Sequence, residues 1–218
     1  MEYPKIETLY VRAADTFRVT DQLRLPEYDL VKYWLLTEKI DGTNIRVFFN
    51  NYGDGKIGFG GRTASAQIPV HLMNYLQAAF VSEQMIEAFS HEVSVILYGE
   101  GYGSKIQKGG GNYRSDVSFR LFDVLIIKGD ERWWLNWKDV EDVADKLGIK
   151  TVPVIDYNCS LDTATLFLRD FSMVAEKESN NEIQQEGIVA RTEPLLLTRN
   201  GHRLMWKLKA KDYTGGKH

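Results

Sequence analysis

The stretch Glu38-Lys39-Ile40-Asp41-Gly42-Thr43-Asn44 sets a lysine between two apolar runs, Tyr33-Trp34-Leu35-Leu36 and Ile45-Arg46-Val47-Phe48-Phe49. Both runs read as strands. Lys39 therefore falls where a strand gives way to a tight connection containing glycine. A solvated charge at a strand end is the ordinary fate of such a lysine. The alternative is a nucleophile. A free lysine amine has a pKa of about 10.4 and is protonated at neutral pH, so an attacking lysine must first be stripped of its proton. Lowering that pKa by about three units costs on the order of 4 kcal/mol, met by desolvation and neighbouring cations.

Further charged residues follow in an informative order. Gly61-Arg62-Thr63 comes first, then Tyr98-Gly99-Glu100 and Phe119-Arg120-Leu121-Phe122-Asp123. Glu186-Gly187-Ile188-Val189 and Lys207-Leu208-Lys209 close the series. Lys207 and Lys209 alternate around Leu208, so on a strand both face one way and Leu208 the other. Two like charges on one face suit a phosphate, and they would help hold Lys39 unprotonated. Glu100 and Glu186 each lie beside a glycine at an expected strand end.

Lys39-x-Asp41-Gly42 alone is a weak signal; the whole series in this order is a strong one. From Glu38 to Lys209 it resembles the covalent nucleotidyltransferase superfamily of ATP-dependent DNA ligases, RNA ligases and mRNA capping enzymes. Lys39-Ile40-Asp41-Gly42-Thr43-Asn44 looks most like the nick-sealing RNA ligases (RNA ligase 2 type). DNA ligases usually carry Arg where this chain has Asn44.

The resemblance implies a reaction and a set of roles. Lys39 attacks the α-phosphorus of ATP, with Lys207 and Lys209 beside it, and a lysyl-AMP forms. The AMP passes to a 5′-phosphate RNA end, and a 3′-hydroxyl displaces it. The nucleotide would be held by Glu38, Ile40, Asn44, Arg62, Glu100, Phe122, Glu186 and Ile188 together with Lys207 and Lys209. Glu38 would read adenine through its backbone, and Arg62 would reach the ribose or phosphate. Phe122 would stack on the base, with Ile188 or Val189 on its other side. Glu186 and Glu100 would hold magnesium, which suits carboxylate oxygens. Asp41 is expected to fix the turn rather than act on the substrate.

The loop Gly101–Arg114 interleaves glycine, tyrosine and basic residues. It lacks the G-x-x-x-x-G-K-[ST] pattern of a phosphate-binding loop. Lys105, Lys108 and Arg114 suit a mobile flap over nucleic acid; a plain surface loop is the equal alternative. Arg199, Arg203 and Lys211 add basic groups near the last motif. Trp133, Trp134 and Trp137 read as packing. His71, His91, His202 and His218 have no metal-ligand spacing.

The 218 residues carry a net charge of −3, so nucleic acid would have to be gripped by local patches. An apolar fraction of 44% and a charged fraction of 26% are those of a globular protein. The lone Cys159 excludes an internal disulfide framework, and no run approaches the ~18 apolar residues of a membrane span. A cytoplasmic setting is the default expectation.

Strands are expected over Leu9–Arg12, Ile57–Gly60, Val93–Tyr98, Val117–Ile127, Val152–Ile155, Gly187–Ala190 and Leu204–Leu208. Asn50–Lys56 reads as a hairpin turn. Helices are expected from Pro69 to Phe89, from Trp137 to Leu147 behind an Asn136 cap, and over Leu161–Lys177, with Glu178–Gln185 a loop. Many strands with a few outer helices give an α+β fold with two mainly antiparallel sheets flanking a nucleotide groove. The resemblance implies the same architecture, that of an ATP-grasp-like ligase adenylation fold. The expected organisation is one adenylyltransferase domain over residues 1–218, with no C-terminal OB-fold or RNA ligase accessory domain; a partner would then supply any missing grip. A minimal ATP-dependent DNA ligase and a nucleotide- or RNA-end-binding module remain the alternatives.

Overall fold

The computed structural model describes residues 1–52, 55–90 and 92–213, so His91 and His218 lie outside the described residues. The chain begins with β1 (Tyr10–Arg12), β2 (Val19–Leu23), β3 (Trp34–Lys39), β4 (Thr43–Asn50) and β5 (Lys56–Gly60). Helices α1 (Val70–Ala79) and α2 (Ser82–Ala88) lead to β6 (Ser94–Gly103), β7 (Val117–Lys128) and β8 (Glu131–Trp134). After α3 (Trp137–Lys146) come β9 (Lys150–Thr151), β10 (Val154–Cys159), α4 (Leu161–Ala164) and α5 (Met173–Ser179). Strands β11 (Gly187–Arg191) and β12 (Met205–Lys209) follow. The α+β expectation with mainly antiparallel sheets matches this architecture.

The chain divides into two compact units: Met1–Tyr3 with Asp41–Val152, and Pro4–Ile40 with the described residues from Pro153 onward. The first is built on the sheet β5-β4-β6-β7-β8, to which β9 adds in parallel beside β7. Alternation along β4 divides its two faces. Ile45, Val47 and Phe49 are buried, and Ile45 reaches towards Leu72 of α1 across Gly101. Asn44, Arg46 and Phe48 point the other way. On that second face Ile96, Tyr98 and Leu125 form a cluster packed by Tyr3, Phe48, Phe122 and Trp134.

The second unit holds the antiparallel sheet β10-β3-β11-β12 and the ribbon β1-β2. Trp34, Leu36, Ile188, Ala190, Trp206 and Leu208 put one sheet face into a single core with Leu9, Tyr28 and Leu168. Burial drives the Tyr28 hydroxyl pKa up to about 12, and it donates to the Met205 carbonyl at 3.0 Å. The outer edge of β12 is not left open. Leu9 N–H donates to the Lys207 carbonyl and Lys207 N–H to that of Glu7, at 3.2 and 3.0 Å, which removes an exposed sheet edge.

Several elements differ from the sequence expectation for local reasons. The helix expected from Pro69 to Phe89 breaks because Phe80 and Val81 are extended, with the Phe80 ring buried against Phe59 and Phe119. The strand expected over Val152–Ile155 is broken: β9 ends at Thr151 and β10 begins at Val154, with Val152 and Pro153 in neither. Val152 N–H bonds Leu121 O in one unit and Pro153 O accepts from Glu38 N–H in the other, both at 2.9 Å. Leu161–Lys177 splits into α4, a 3-10 turn over Thr165–Arg169, and α5, because Ser172 leaves the helical path to cap α5. Strand β6 runs on through Glu100 to Gly103, so Glu100 is inside a strand rather than at its end. Trp133 and Trp134 belong to β8, which sequence patterning alone does not reveal. Cys159 is a buried thiol whose pKa burial pushes up.

Removing the Trp206 ring should test whether the second unit's core is one cooperative body. Trp206→Ala is expected to cost roughly 3–5 kcal/mol. Urea unfolding checks it, and a loss below about 1 kcal/mol would contradict a core centred on this ring.

Candidate functional site

Lys39 ends β3, and the register of its sheet carries the site across three strands. Lys39 pairs with Gly187, and Gly187 with Lys209. The next row on the same face is Thr37, Val189 and Lys207. Between these rows, Glu38, Ile188 and Leu208 point into the core. Lys207 and Lys209 thus share a face with Lys39, and Leu208 faces away, as the alternation requires.

Gly187 explains the gap in the first row. A Cβ there would lie 2.1 Å from the Leu208 carbonyl oxygen, so no side chain fits. Glu186 fills the space instead. Its Oε2 lies 2.5 Å from Lys39 Nζ and its Oε1 3.0 Å from Lys209 Nζ. One carboxylate therefore contacts both lysines.

Two sequence assignments change on this face. The Ile188 side chain is fully buried in the core; Val189 occupies the Lys39 face. The Glu38 carboxylate is 1% exposed, accepts a hydrogen bond from the Ser172 hydroxyl, and accepts Val174 N–H at 3.2 Å. It caps α5 together with Ser172, whose Oγ accepts Ala175 N–H at 3.1 Å. Glu38 N–H is committed to Pro153 O, so an adenine read by that amide has no free donor there. Ile40 is buried.

In the other unit, the connection after Lys39 is held from several sides. Asp41 N–H donates to the Tyr113 hydroxyl at 3.3 Å, and Gln107 Nε2 donates to the Gly42 carbonyl at 3.0 Å. Gly42 passes so close to β6 that a Cβ would sit 2.4 Å from Gly101 O and 2.9 Å from Glu100 Cγ. Asn44, Glu100 and Arg120 form one cross-strand row over β4, β6 and β7. Asn44 Oδ1 is buried without a hydrogen-bond partner among the described residues. Arg120 donates to the Tyr102 hydroxyl at 3.0 Å and to Thr151 O at 2.8 Å.

Phe122 stands at a register shift. Tyr98 pairs with Asp123 but Gly99 with Leu121, so Phe122 is the extra residue. Its ring meets Tyr3 edge-on, with ring centroids 5.1 Å apart, and Tyr3 donates to Asp123 at 2.6 Å. Arg62 is exposed in the loop after β5. Arg46 fixes that loop, donating to Gly61 O and Thr63 O at 2.7 and 3.1 Å.

The glycine-rich loop is seated rather than loose. Ser104 N–H bonds Asp116 O at 2.8 Å, and Tyr113 is 4% exposed. Arg114 is taken up by Asp116, whose pKa its hydrogen bond holds below the ordinary carboxylate value. Lys105 and Lys108 are exposed. Arg199 and Lys211 are exposed and Arg203 half-buried. No cluster of three or more His, Cys, Asp or Glu side chains that could hold a metal forms among the described residues.

The row through Lys39 and the Glu186 bridge belong to a nucleotidyltransferase-type domain, as its family and its fold show. Residues 32–209 match the family model described as RNA ligase, and the chain belongs to that family. No curated protein matches. Solved structures of a Naegleria gruberi RNA ligase share the fold. A mutant with ATP and Mn aligns with a TM-score of 0.64 at 19% identity, covering 98% of this chain and 57% of that one. Another mutant, with AMP and Mn, gives 0.63 at 20%, covering 97% and 62%. The ligase with PPi gives 0.60 at 20%, again covering 97% and 62%. This chain therefore spans about three fifths of the length of these relatives.

Arg46, Tyr113, Gln107, Tyr3 and Ser172 were not singled out by sequence reasoning as holding the site. Their partners lie from 15 to 134 residues away, beyond any local motif. If Glu38 is the cap of α5, Glu38→Ala should destabilise the chain by about 1–3 kcal/mol through unmade buried hydrogen bonds. Glu38→Gln should lose less. Equal denaturation midpoints for wild type and Glu38→Ala would refute the cap.

Proposed function

We propose that the chain is an ATP-dependent RNA ligase that works through a lysyl-AMP. The observation that carries this reading is the row Lys39–Gly187–Lys209 with Glu186 reaching between the two lysines. It puts one nucleophile, one carboxylate and two further cations, Lys207 and Lys209, on a single rigid face. Membership of the RNA ligase family and the ATP- and AMP-bound relatives support it.

Attack requires a lone pair on Lys39 Nζ. Lys39 therefore gives up its proton and its contact with Glu186, forms the N–P bond to the α-phosphorus of ATP, and pyrophosphate leaves with the electrons of the broken P–O bond. Lys207 and Lys209 are placed to neutralise phosphate charge as it develops. The AMP then passes to an RNA 5′-phosphate, and attack by a 3′-hydroxyl on that phosphate releases AMP and joins the ends.

The residues fit ATP and a divalent cation. Asn44 Oδ1 is a buried acceptor without a partner among the described residues, as a contact for a nucleotide hydroxyl or amine would be. Glu186 in the second unit, and separately Glu100 in the first, carry carboxylates of the kind magnesium takes, a cation that accepts one or two and keeps several waters. When bound, it supplies charge neutralisation on the phosphate oxygens. Glu186 would exchange its two ammonium partners for the cation. In the first unit Phe122 offers apolar surface for a base and Arg62 an exposed cation for a ribose or phosphate; in the second, Val189 lies on the Lys39 face.

Residues 1–218 act, on this reading, as an adenylyltransferase domain in the cytoplasm, sealing RNA breaks that include nicks in duplex. No described helix is long and apolar enough to cross a membrane. Lys105 and Lys108 are exposed cations of the loop that contacts the Asp41-Gly42 turn, with Arg114 shared with Asp116.

Incubation with ATP and magnesium should add one AMP to the Lys39 peptide, seen by mass spectrometry, and none in Lys39→Ala. Modification of another lysine would reassign the nucleophile.

The substrate is tested with matched nicks. A ribonucleotide at the 3′-hydroxyl end should be sealed better than a deoxyribonucleotide, because the 2′-hydroxyl is what distinguishes RNA from DNA there. With few phosphate contacts the salt dependence should be shallow, a log–log slope of roughly −2 to −3. Equal or better sealing of an all-DNA nick would make this a DNA ligase.

A further inference from the structure

The glycine-rich loop touches the connection after Lys39 at two consecutive residues and from opposite chemical directions. Tyr113 Oη accepts Asp41 N–H, and Gln107 Nε2 donates to Gly42 C=O. The loop that presents these groups is itself fixed. Gly103 takes φ +115° and Gly109 φ +89°, both open to glycine but costly for other residues. Gly110 packs where a Cβ would lie 2.0 Å from Gly103 O. The Tyr113 ring stands edge-on to Tyr102, with centroids 6.0 Å apart, and Tyr102 is fully buried. The Tyr102 hydroxyl accepts from Arg120, and Arg120 also donates to Thr151 O. A chain of contacts thus runs from a turn beside the nucleophile, through two tyrosines and an arginine, to the end of β9.

This arrangement is not that of a lid. A lid has few fixed contacts and acts by covering substrate. Here two polar side chains are spent on main-chain groups of the Asp41-Gly42 turn, where Gly42 already has no room for a side chain against Gly101 O. Fixing the peptides at Asp41 and Gly42 fixes the main chain two residues from Lys39. A displacement of about 1 Å at a reacting centre costs on the order of a hundredfold in rate.

We propose that Tyr113 and Gln107 are positioning residues for the lysine nucleophile, and that the glycine-rich loop is a brace on the turn after Lys39. The proposal rests on the lysyl-AMP reading above. It separates the loop's roles: Tyr113 and Gln107 serve the chemical step on Lys39, while Lys105 and Lys108, facing solvent, remain free for nucleic acid.

The test measures single-turnover lysyl-AMP formation across ATP concentrations, with amide hydrogen exchange at Asp41 measured on the same proteins. Tyr113→Phe keeps the ring against Tyr102 and loses only the hydroxyl. Gln107→Glu keeps the size and replaces the donor by an acceptor facing the Gly42 carbonyl. Each is expected to slow the maximal rate roughly tenfold with the ATP concentration for half-maximal rate changed less than about twofold, since positioning acts on the reacting geometry rather than on binding. Exchange at Asp41 should quicken in Tyr113→Phe, with the melting temperature unchanged.

Wild-type rates in both variants would overturn the brace. So would a weaker hold on ATP at an unchanged maximal rate, which would make these residues nucleotide contacts. A melting temperature lowered in step with the rate would make them structural only, and would also overturn it. If the wild-type chain forms no lysyl-AMP, the ligase reading fails; exchange at Asp41 then judges the brace alone, faster exchange in Tyr113→Phe supporting it and unchanged exchange refuting it.

Discussion

A carboxylate between two ammonium groups is the constraint around which the second unit is arranged. Glu186 can reach both Lys39 and Lys209 only because the residue between them in register, Gly187, has no side chain. Three strands must keep that register, and β-sheet pairing keeps it only if the opposite face is packed, since a slip of one residue would turn every side chain over. Trp34, Leu36, Ile188, Trp206 and Leu208 supply that packing. The chemistry of one face is thus specified by the apolar residues of the other.

The same logic runs through the first unit, with a different outcome. Alternation along β4 and β6 sends Ile45, Val47 and Leu97 to the core, and Asn44, Arg46 and Glu100 to the opposite face. At β7 the alternation is interrupted by the shift at Phe122, which turns Phe122 and Asp123 together toward Tyr3. A ring placed by a bulge is held by its neighbours rather than by ladder hydrogen bonds alone. Tyr3 performs that service for Phe122, and its hydroxyl satisfies the fully buried Asp123 carboxylate.

These differences explain what was legible in the sequence. Lys207, Lys209 and Leu208 could be assigned to their faces because strand periodicity is local, and Glu186 was legible beside a glycine at a strand end. The motif order carried the family. Glu38 was legible as a motif residue but not in its work, because its partner Ser172, the cap of α5, lies 134 residues away. Ile188 and Val189 could not be separated until the register was known. The helix expected over Leu161–Lys177 failed because helical periodicity does not register a serine that leaves the helix to cap the next one. Glu100 was read as a strand end because a glycine usually weakens a strand; Gly99 and Gly101 instead allow Phe119 and Leu72 to pack closely on β6.

The chain crosses between its two units at Tyr3–Pro4, Ile40–Asp41 and Val152–Pro153. Each crossing is tied down on one side by a side chain of the first unit. Tyr3 is bound to Asp123, Asp41 to Tyr113, and Thr151 to Arg120. Asp123 and Arg120 lie on β7, and Tyr113 reaches the same strand through Tyr102 and Arg120. One strand therefore organises the points at which the chain enters and leaves its unit. A connection left without such anchors would sample many backbone geometries, at a cost of roughly 1–2 kcal/mol for each residue then ordered. With these anchors made, the main chain from Asp41 onward is already ordered, and no such cost remains for the residues that follow Lys39.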